Sequence, residues 1–406
     1  MPRRFRFVLT GIGSALVALL AGAAVVQHRA TASWAAMEHH AAAMRADFDR
    51  REHGREPLWG EGSDGDAFAE YARAAALAKP LAAADDKELK ATLRRTDAQV
   101  AAETIELRAR WQPVLEAMRA GAHHRDGKHP AVRRGDSQAG IANLLVSRWI
   151  ANAAVFEARA LRHAGQHQQA VAWTLDAMTF GADHVRGGLL INQMIGLALV
   201  GIASKEAWTD AALQQLDAQA LDLLATGLDR LDAQLPPHLD LTPELLWLAG
   251  SLGELPMGGY GVGAFASWRF GFSGRWMMAD AFARYATAVE RLAASPPRAW
   301  SAHQAGMDAE MAVLAQSSNP MLGILAPNLT SAESSLRQTR TLLRLLRAAI
   351  GVLRGEDVSG LQDPLGDGML SVTEDGEVTH IRSAGVPNGR TFERCVTRRP
   401  ASPDSR

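Results

Sequence analysis

Phe7 to Gln27 reads FVLTGIGSALVALLAGAAVVQ, twenty-one residues without a charge, with Arg3, Arg4 and Arg6 before it and Arg29 behind it. As a helix this run would rise about 31 Å, close to the roughly 30 Å hydrocarbon core of a bilayer. Its interior glycines, Gly11, Gly13 and Gly22, are tolerated in membrane helices. A cleaved signal has a shorter apolar core, about 7–15 residues, and a small-x-small exit. Ala21-Gly22-Ala23 and Ala30-Thr31-Ala32 both have that form. The length of the run favours an uncleaved anchor over residues 1–28, and cleavage to a secreted or periplasmic form is the alternative. Basic residues ahead of the run hold the N-terminus in the cytoplasm. The expectation is a single-pass inner-membrane protein with its bulk in the periplasm.

A second apolar stretch, Gly187 to Ser204 (GGLLINQMIGLALVGIAS), is nearly as long, but carries Asn192 and Gln193 in its first half. Unpaired amides are costly in lipid, so this stretch reads as a helix buried in the protein's own core. The residues after the anchor suffice for a large core. Abundant Ala and Leu with few aromatics favour helices. A net charge of −1 gives no electrostatic reason to expect nucleic acid as a partner. Cys395 is the only cysteine, so no intramolecular disulfide can form, and it reads as inert rather than reactive.

Periodicity fills in the body. Trp34, Met37, Ala41, Met44 and Phe48 recur at helical steps after Ser33, a candidate cap. Gly54 to Asp66 and Gly121 to Gly140 read as polar loops. Phe68 to Ala84 and Lys87 to Ala120 read as helices, the second with Pro113 as a possible kink. Ile141 to Ala164 and Gln168 to Phe180 form a hairpin turning at Gly165, with Ala158, Ala170 and Ala177 spaced as in a tetratricopeptide unit. Helices follow over Leu189 to Trp208 and Leu213 to Leu231; Pro236-Pro237 is the natural seam. Thr242 and Pro243 open another helix; Met277 to Ala294 and Ser301 to Ala315 continue the series. The best-defined helix has Thr330 and Glu333 at capping-box spacing. Leu336, Leu343, Leu346, Ile350 and Leu353 form its core stripe and Gly355 ends it. Met369 to Val372 and Val378 to Arg382 flank an Asp-Gly turn, the signature of a β-hairpin, and Thr391 to Thr397 can add a strand. The fold class is therefore mainly α: an N-terminal transmembrane helix, antiparallel hairpins that are TPR-like or bundle-like, and a small C-terminal β-hairpin. The expected divisions are 1–28, 30–235, 238–355, 360–397 and a disordered end at 398–406.

The C-terminal unit has a familiar form. A long helix leads to Asp363-Pro364-Leu365-Gly366-Asp367-Gly368-Met369-Leu370 and a hairpin ending Ile381-Arg382-Ser383-Ala384-Gly385. Over roughly 30 residues this resembles a group of uncharacterised, membrane-anchored helical bacterial envelope proteins, whose tails are in turn similar to major pseudopilins of type II secretion. The resemblance implies architecture and address, not an activity. It also has departures: Met369-Leu370-Ser371-Val372 lacks the tyrosine of the pattern. After Ser383-Ala384-Gly385, Val386-Pro387-Asn388 replaces the acidic residues that help hold calcium in pseudopilins. No calcium site is carried over.

Few constellations point to chemistry. His123, His124 and His129 with Asp126 share one hydrophilic loop and are the only candidates for a metal, against the simpler reading of a solvated loop. Gly259, Gly261 and Ala264 match a dinucleotide fingerprint only superficially, since no strand precedes them. The segment 252–276 alternates glycines with Tyr260, Phe265, Trp268, Phe270 and Phe272, rings that would stack on a partner or plug the helical body. Arg337, Arg340, Arg344, Arg347 and Arg354 make a helical stripe that would meet phosphate head groups or an acidic partner, or simply be a wet face. Glu254 is the one candidate for an acid of an envelope hydrolase, and no Gly-x-Ser-x-Gly nucleophile motif occurs. No cofactor is expected. Function is expected to be that of a membrane-anchored scaffold or adaptor with an envelope protein as partner. An envelope hydrolase acting on glycan or peptide, or an accessory of a secretion system, is the alternative.

Overall fold

Helix dominates where alanine and leucine are dense and no β-branched run intervenes. The computed structural model describes residues 3–51, 54–127, 129, 144–254, 271–294, 299–319, 322, 329–385 and 390–397. At 3–20, 23, 26, 144–145, 206, 251–254 and 271–275 only the backbone is described. Over these residues the chain is mainly helical, with a small antiparallel sheet at its C-terminus. The helices are α1 (Arg3–Arg50), α2 (Ala67–Thr92), α3 (Asp97–Glu103), α4 (Ile105–His123), α5 (Leu144–His163), α6 (His167–Val185), α7 (Leu190–Ala207), α8 (Asp210–Gln214), α9 (Ala218–Gln234), α10 (Thr242–Glu254), α11 (Gly271–Ala293), α12 (Trp300–Ala315) and α13 (Leu329–Arg354). The strands are β1 (Ser63–Asp66), β2 (His124–Asp126), β3 (Ser371–Asp375), β4 (Val378–Arg382) and β5 (Glu393–Thr397).

The chain divides into two units. The smaller comprises Met1–Arg51, Leu245–Ser295 and Asp308–Pro327, and the larger comprises the rest. The expected seam at Pro236-Pro237 falls inside the larger unit. In the smaller unit, α1 lies along α11. Its helical stripe is as expected: Met37 and Phe48 are buried, and Trp34, Ala41 and Met44 half-buried. Phe282 and Tyr285 of α11 are buried as well, and His40 meets the Phe282 ring edge-on. Ser33 is not a cap, because α1 passes through it without interruption from Arg3. Among the described residues no helix is long and apolar enough to cross a membrane. The expected anchor Phe7 to Gln27 is helical as part of α1, and its side chains up to Leu20 lie outside that description.

The larger unit is built on α2, α4, α5, α6 and α7. The hairpin of α5 and α6 turns at Gly165, and Ala158, Ala170 and Ala177 are fully buried along it. The second apolar stretch is α7, a core helix: Leu197, Leu199, Val200 and Ala203 are buried, as are Asn192 and Gln193. Gln193 Nε2 donates to Gly188 O and Asp240 O, which removes the cost of burying its amide nitrogen. The expected single helix Lys87 to Ala120 is three pieces. The chain leaves α2 after Thr92 and restarts at Thr96, whose side chain and that of Gln99 form a capping box. A strong local cap outweighs the continuity of the apolar pattern. The polar loops before α2 and after α4 are also not wholly irregular, since β1 and β2 pair in parallel.

At the C-terminus the hairpin is as expected. Asp375 and Val378 face each other across a turn that begins at Gly376, where φ is +62°. That left-handed conformation is one glycine adopts without strain. β5 adds antiparallel to β4, and the sheet packs its Ile381 and Val396 inward beside α13.

Where α6 crosses α7, Gly181 and Gly196 face one another. A Cβ built on Gly196 would lie 2.5 Å from the backbone oxygen of Gly181. Five residues along the same helix, a Cβ on Gly201 would meet nothing within 4 Å. Gly201→Ala should therefore gain up to about 1 kcal/mol from helix propensity. Gly196→Ala should lose roughly 1–3 kcal/mol, because overpacking against backbone exceeds that gain. Chemical denaturation of the two variants checks the opposite signs.

Candidate functional site

Burying a carboxylate is tolerable only when its lone pairs are filled. Asp183, on the face of α6 turned to the core, meets that condition fully. Arg55 donates from Nε to Oδ1 at 2.7 Å and from NH2 to Oδ2 at 2.8 Å, and neither side chain is solvent-exposed. Tyr71 OH adds a 2.5 Å bond to Oδ2, and Arg186 pairs with Oδ1. The Arg55 guanidinium also donates to Ala122 O and Gly121 O at the end of α4. Burial is the largest influence on the Arg55 cation and works against it, but the Asp183 charge, Tyr71 and the hydrogen bonds to both together hold its pKa above the ordinary value. Burial, with that carboxylate beside it, holds Tyr71 in the phenol form.

Seven residues earlier on the same helix sits Asp176, also buried. Trp59 Nε1 donates to it at 2.7 Å, His123 Nε2 lies 3.1 Å from the same oxygen, and Arg119 Nε lies 3.1 Å from the other. Burial raises the Asp176 pKa, and the hydrogen bond to Asp176 raises that of His123. The guanidinium of Arg119 lies over both Trp59 and Trp173. Arg55 and Trp59 thus fasten the segment between α1 and β1, expected to be a plain loop, onto α6. From α9, Arg230 and Gln234 donate to Pro57 O and Glu56 O.

The three loop histidines do not converge on a metal. His123 serves Asp176, His124 Nδ1 bonds Ser63 Oγ at 2.9 Å, and His129 is buried edge-on against Phe68 and near His184. Their neighbours are ones a loop pattern could not reveal. Burial, with His184 adding to it, drops the His129 pKa to about 3.

The arginine row is likewise turned inward. Arg340 and Arg344 bond Asp232 at 2.9 Å, and Arg347 bonds Asp229 and Glu356, so α13 is fastened to α9 and to the turn beyond it. Between these helices lies a cleft of about 250 Å³ lined by Leu228, Leu343, Leu361 and the paired charges. The apolar stripe alone gave no sign that α9 would supply acids at the matching positions.

Glu333 is no capping-box residue, for α13 begins four residues earlier at Leu329. It is buried, accepts from His238 Nδ1 at 3.0 Å and Leu239 N at 2.9 Å, and has Arg337 Nε at 3.4 Å and His303 Nε2 at 3.9 Å. Burial favours its neutral form, but the bonds from His238 and Leu239 prevail and lower its pKa. Although two imidazoles and a carboxylate lie together, the rings are stacked at 4.4 Å and 19°. One ion cannot lie in two nearly parallel ring planes, and a guanidinium already occupies the approach to the carboxylate.

The motif behind the family resemblance has its own structural account. Asp363 accepts from Leu365 N, from Ser383 Oγ with both oxygens, and from Ala384 N at 2.7 Å. This clasps the turn before β3 to the end of β4. A Cβ on Gly385 would lie 2.4 Å from Leu365 Cβ and 2.5 Å from its carbonyl, so only glycine fits. Tyr260, Phe265, Trp268 and Phe270 lie outside the described residues, and so do the side chains of Phe272 in α11 and Glu254 at the end of α10.

No family model, no curated protein and no solved structure matches this chain.

Two outcomes follow from the α6 centre. Arg55→Ala leaves the Asp183 charge buried with fewer donors and should cost about 3–5 kcal/mol in denaturant unfolding. The His129 ring should stay neutral at pH 5, seen as no shift of its ring signals by NMR between pH 7.5 and 5. The unfolded chain takes up that proton near pH 6.5, the folded one only near 3. Stability therefore falls as pH drops through this window, by up to about 1.4 kcal/mol per pH unit.

Proposed function

We propose that the chain is a single-pass, membrane-anchored helical scaffold or adaptor of the bacterial envelope, with Phe7 to Gln27 in the lipid, the N-terminus in the cytoplasm and the bulk of the chain in the periplasm. One observation carries this reading: the charge-free run is part of one unbroken helix of 48 residues. The part beyond the run lies on α11. Both small-x-small sequences fall inside that helix, and Ala30 of the second is buried. Proteases prefer exposed, unstructured chain, so this placement favours retention of the run over its removal. The body then acts from a fixed attachment rather than by diffusion.

A scaffold reading draws support from how the polar groups are spent. The carboxylates of Asp176, Asp183, Glu333 and Asp363 are each engaged by side chains or amides of the same chain. Groups held in this way position helices. The C-terminal clasp fits the same view, since it fixes the sheet of β3, β4 and β5 beside α13. The likeness to pseudopilin-tailed envelope proteins adds the address and leaves the partner to be found among proteins of the envelope.

Membrane fractionation of the native host tests this directly. The full chain should sediment with membranes and resist carbonate extraction, and a chain lacking residues 1–27 should not. A reporter fused after Arg406 should be active on the periplasmic side. Recovery of the intact full-length chain in the soluble cytosolic fraction would overturn the proposal.

A further inference from the structure

The exposed face of the C-terminal sheet gathers three side chains the scaffold reading does not use. His380 and Cys395 stand directly opposite each other on β4 and β5, and Glu393 is two residues from Cys395, hence on the same face. The alternate residues Thr379, Ile381 and Val396 point the other way and are buried. Cys395 Sγ lies 3.4 Å from His380 Nδ1 and 3.6 Å from Glu393 Oε1, and His380 Nδ1 lies 2.8 Å from Glu393 Oε1.

We propose that His380, Glu393 and Cys395 form a three-ligand site for a borderline-soft divalent cation of the zinc class. Zinc takes thiolate sulfur at about 2.3 Å, imidazole nitrogen at about 2.0–2.1 Å and carboxylate oxygen at about 2.0–2.2 Å. Tetrahedral placement of such ligands requires separations of about 3.6 Å for S to N, about 3.6 Å for S to O and about 3.4 Å for N to O. The observed 3.4, 3.6 and 2.8 Å reach that figure by opening one contact. All three side chains reach solvent, so they can make this adjustment and an ion can enter without unfolding the sheet.

The donor set decides the class. A thiolate excludes the hard cations calcium and magnesium, which take oxygen ligands. One sulfur, one nitrogen and one oxygen suit zinc, with a fourth position open to water. The surrounding charges are mixed. Arg382 Nε bonds Glu393 Oε1 at 2.8 Å, but more than half of its side chain is exposed and it is free to move to the second oxygen. Asp210 Oδ2 lies 3.3 Å from the Cys395 amide and adds negative charge. Ligation replaces the S–H bond by an S–metal bond and releases that proton to water.

Cobalt(II), with its visible spectrum, is the probe for the detergent-solubilised full chain under reducing conditions. Titration should produce a thiolate-to-cobalt charge-transfer band with tetrahedral d–d bands, saturating at one ion per chain and abolished by added zinc. Cys395→Ser should remove the charge-transfer band. His380→Gln and Glu393→Gln should each raise the dissociation constant at least about tenfold, with circular dichroism unchanged in all three variants. Three results would overturn the site: no such band, unchanged affinity when His380 or Glu393 is replaced, or saturation at half an ion per chain. The last would mean that two thiols from separate chains share the metal. None of these readouts depends on where the chain resides, so failure here leaves the membrane reading intact.

Discussion

A carboxylate sealed from water, and the guanidinium that answers it, set the arrangement of the larger unit. Asp183 and Arg55 are 128 residues apart and wholly buried. Charges in that setting are held only if their partners arrive with good geometry, since desolvation otherwise exceeds the Coulombic gain. The Arg55 guanidinium therefore brings with it the segment ahead of β1 and the carbonyls at the end of α4. Tyr71 of α2 supplies a further donor. Four parts of the chain, α2, α4, α6 and the entry segment, are registered on one another by a single acid. The hydrophobic contacts around it supply most of the free energy, but apolar surfaces tolerate sliding and this hydrogen-bonded fork does not.

What could be read from the residues, and what could not, divides along the range of the interaction. The α13 stripe, the α5–α6 turn and the C-terminal hairpin were legible because each is written in neighbours three, four or two positions apart. The core role of α7 was legible from Asn192 and Gln193, which burial in protein can satisfy and lipid cannot. Long-range pairings were not. The row Arg340, Arg344 and Arg347 looked like a wet face because its acids, Asp229 and Asp232, come from a helix over a hundred residues earlier. Glu333 sat at capping spacing, yet its bonds run to His238 and Leu239. The zinc-class cluster was hidden for the same reason: strand pairing alone brings residue 380 opposite residue 395.

In the tail, packing alone accounts for the residues of the Asp363 turn. Asp363 holds four hydrogen bonds, and Gly385 has no room for a side chain against Leu365. A chain that must close its last helix with a three-stranded sheet meets these demands whatever its partner.

The rod at the N-terminus has a mechanical side. A helix of 48 residues extends about 72 Å and turns about 100° with each residue. No proline occurs anywhere in α1, so it holds no proline joint at which its two ends could swivel independently. One residue gained or lost between Gln27 and Met37 would barely alter the composition, yet would point the whole Met37–Phe48 seam about 100° away from its former heading relative to the first turns. The angular phase of this segment is thereby a heritable quantity in its own right, one that deletions of one residue alter severely and deletions of seven hardly at all.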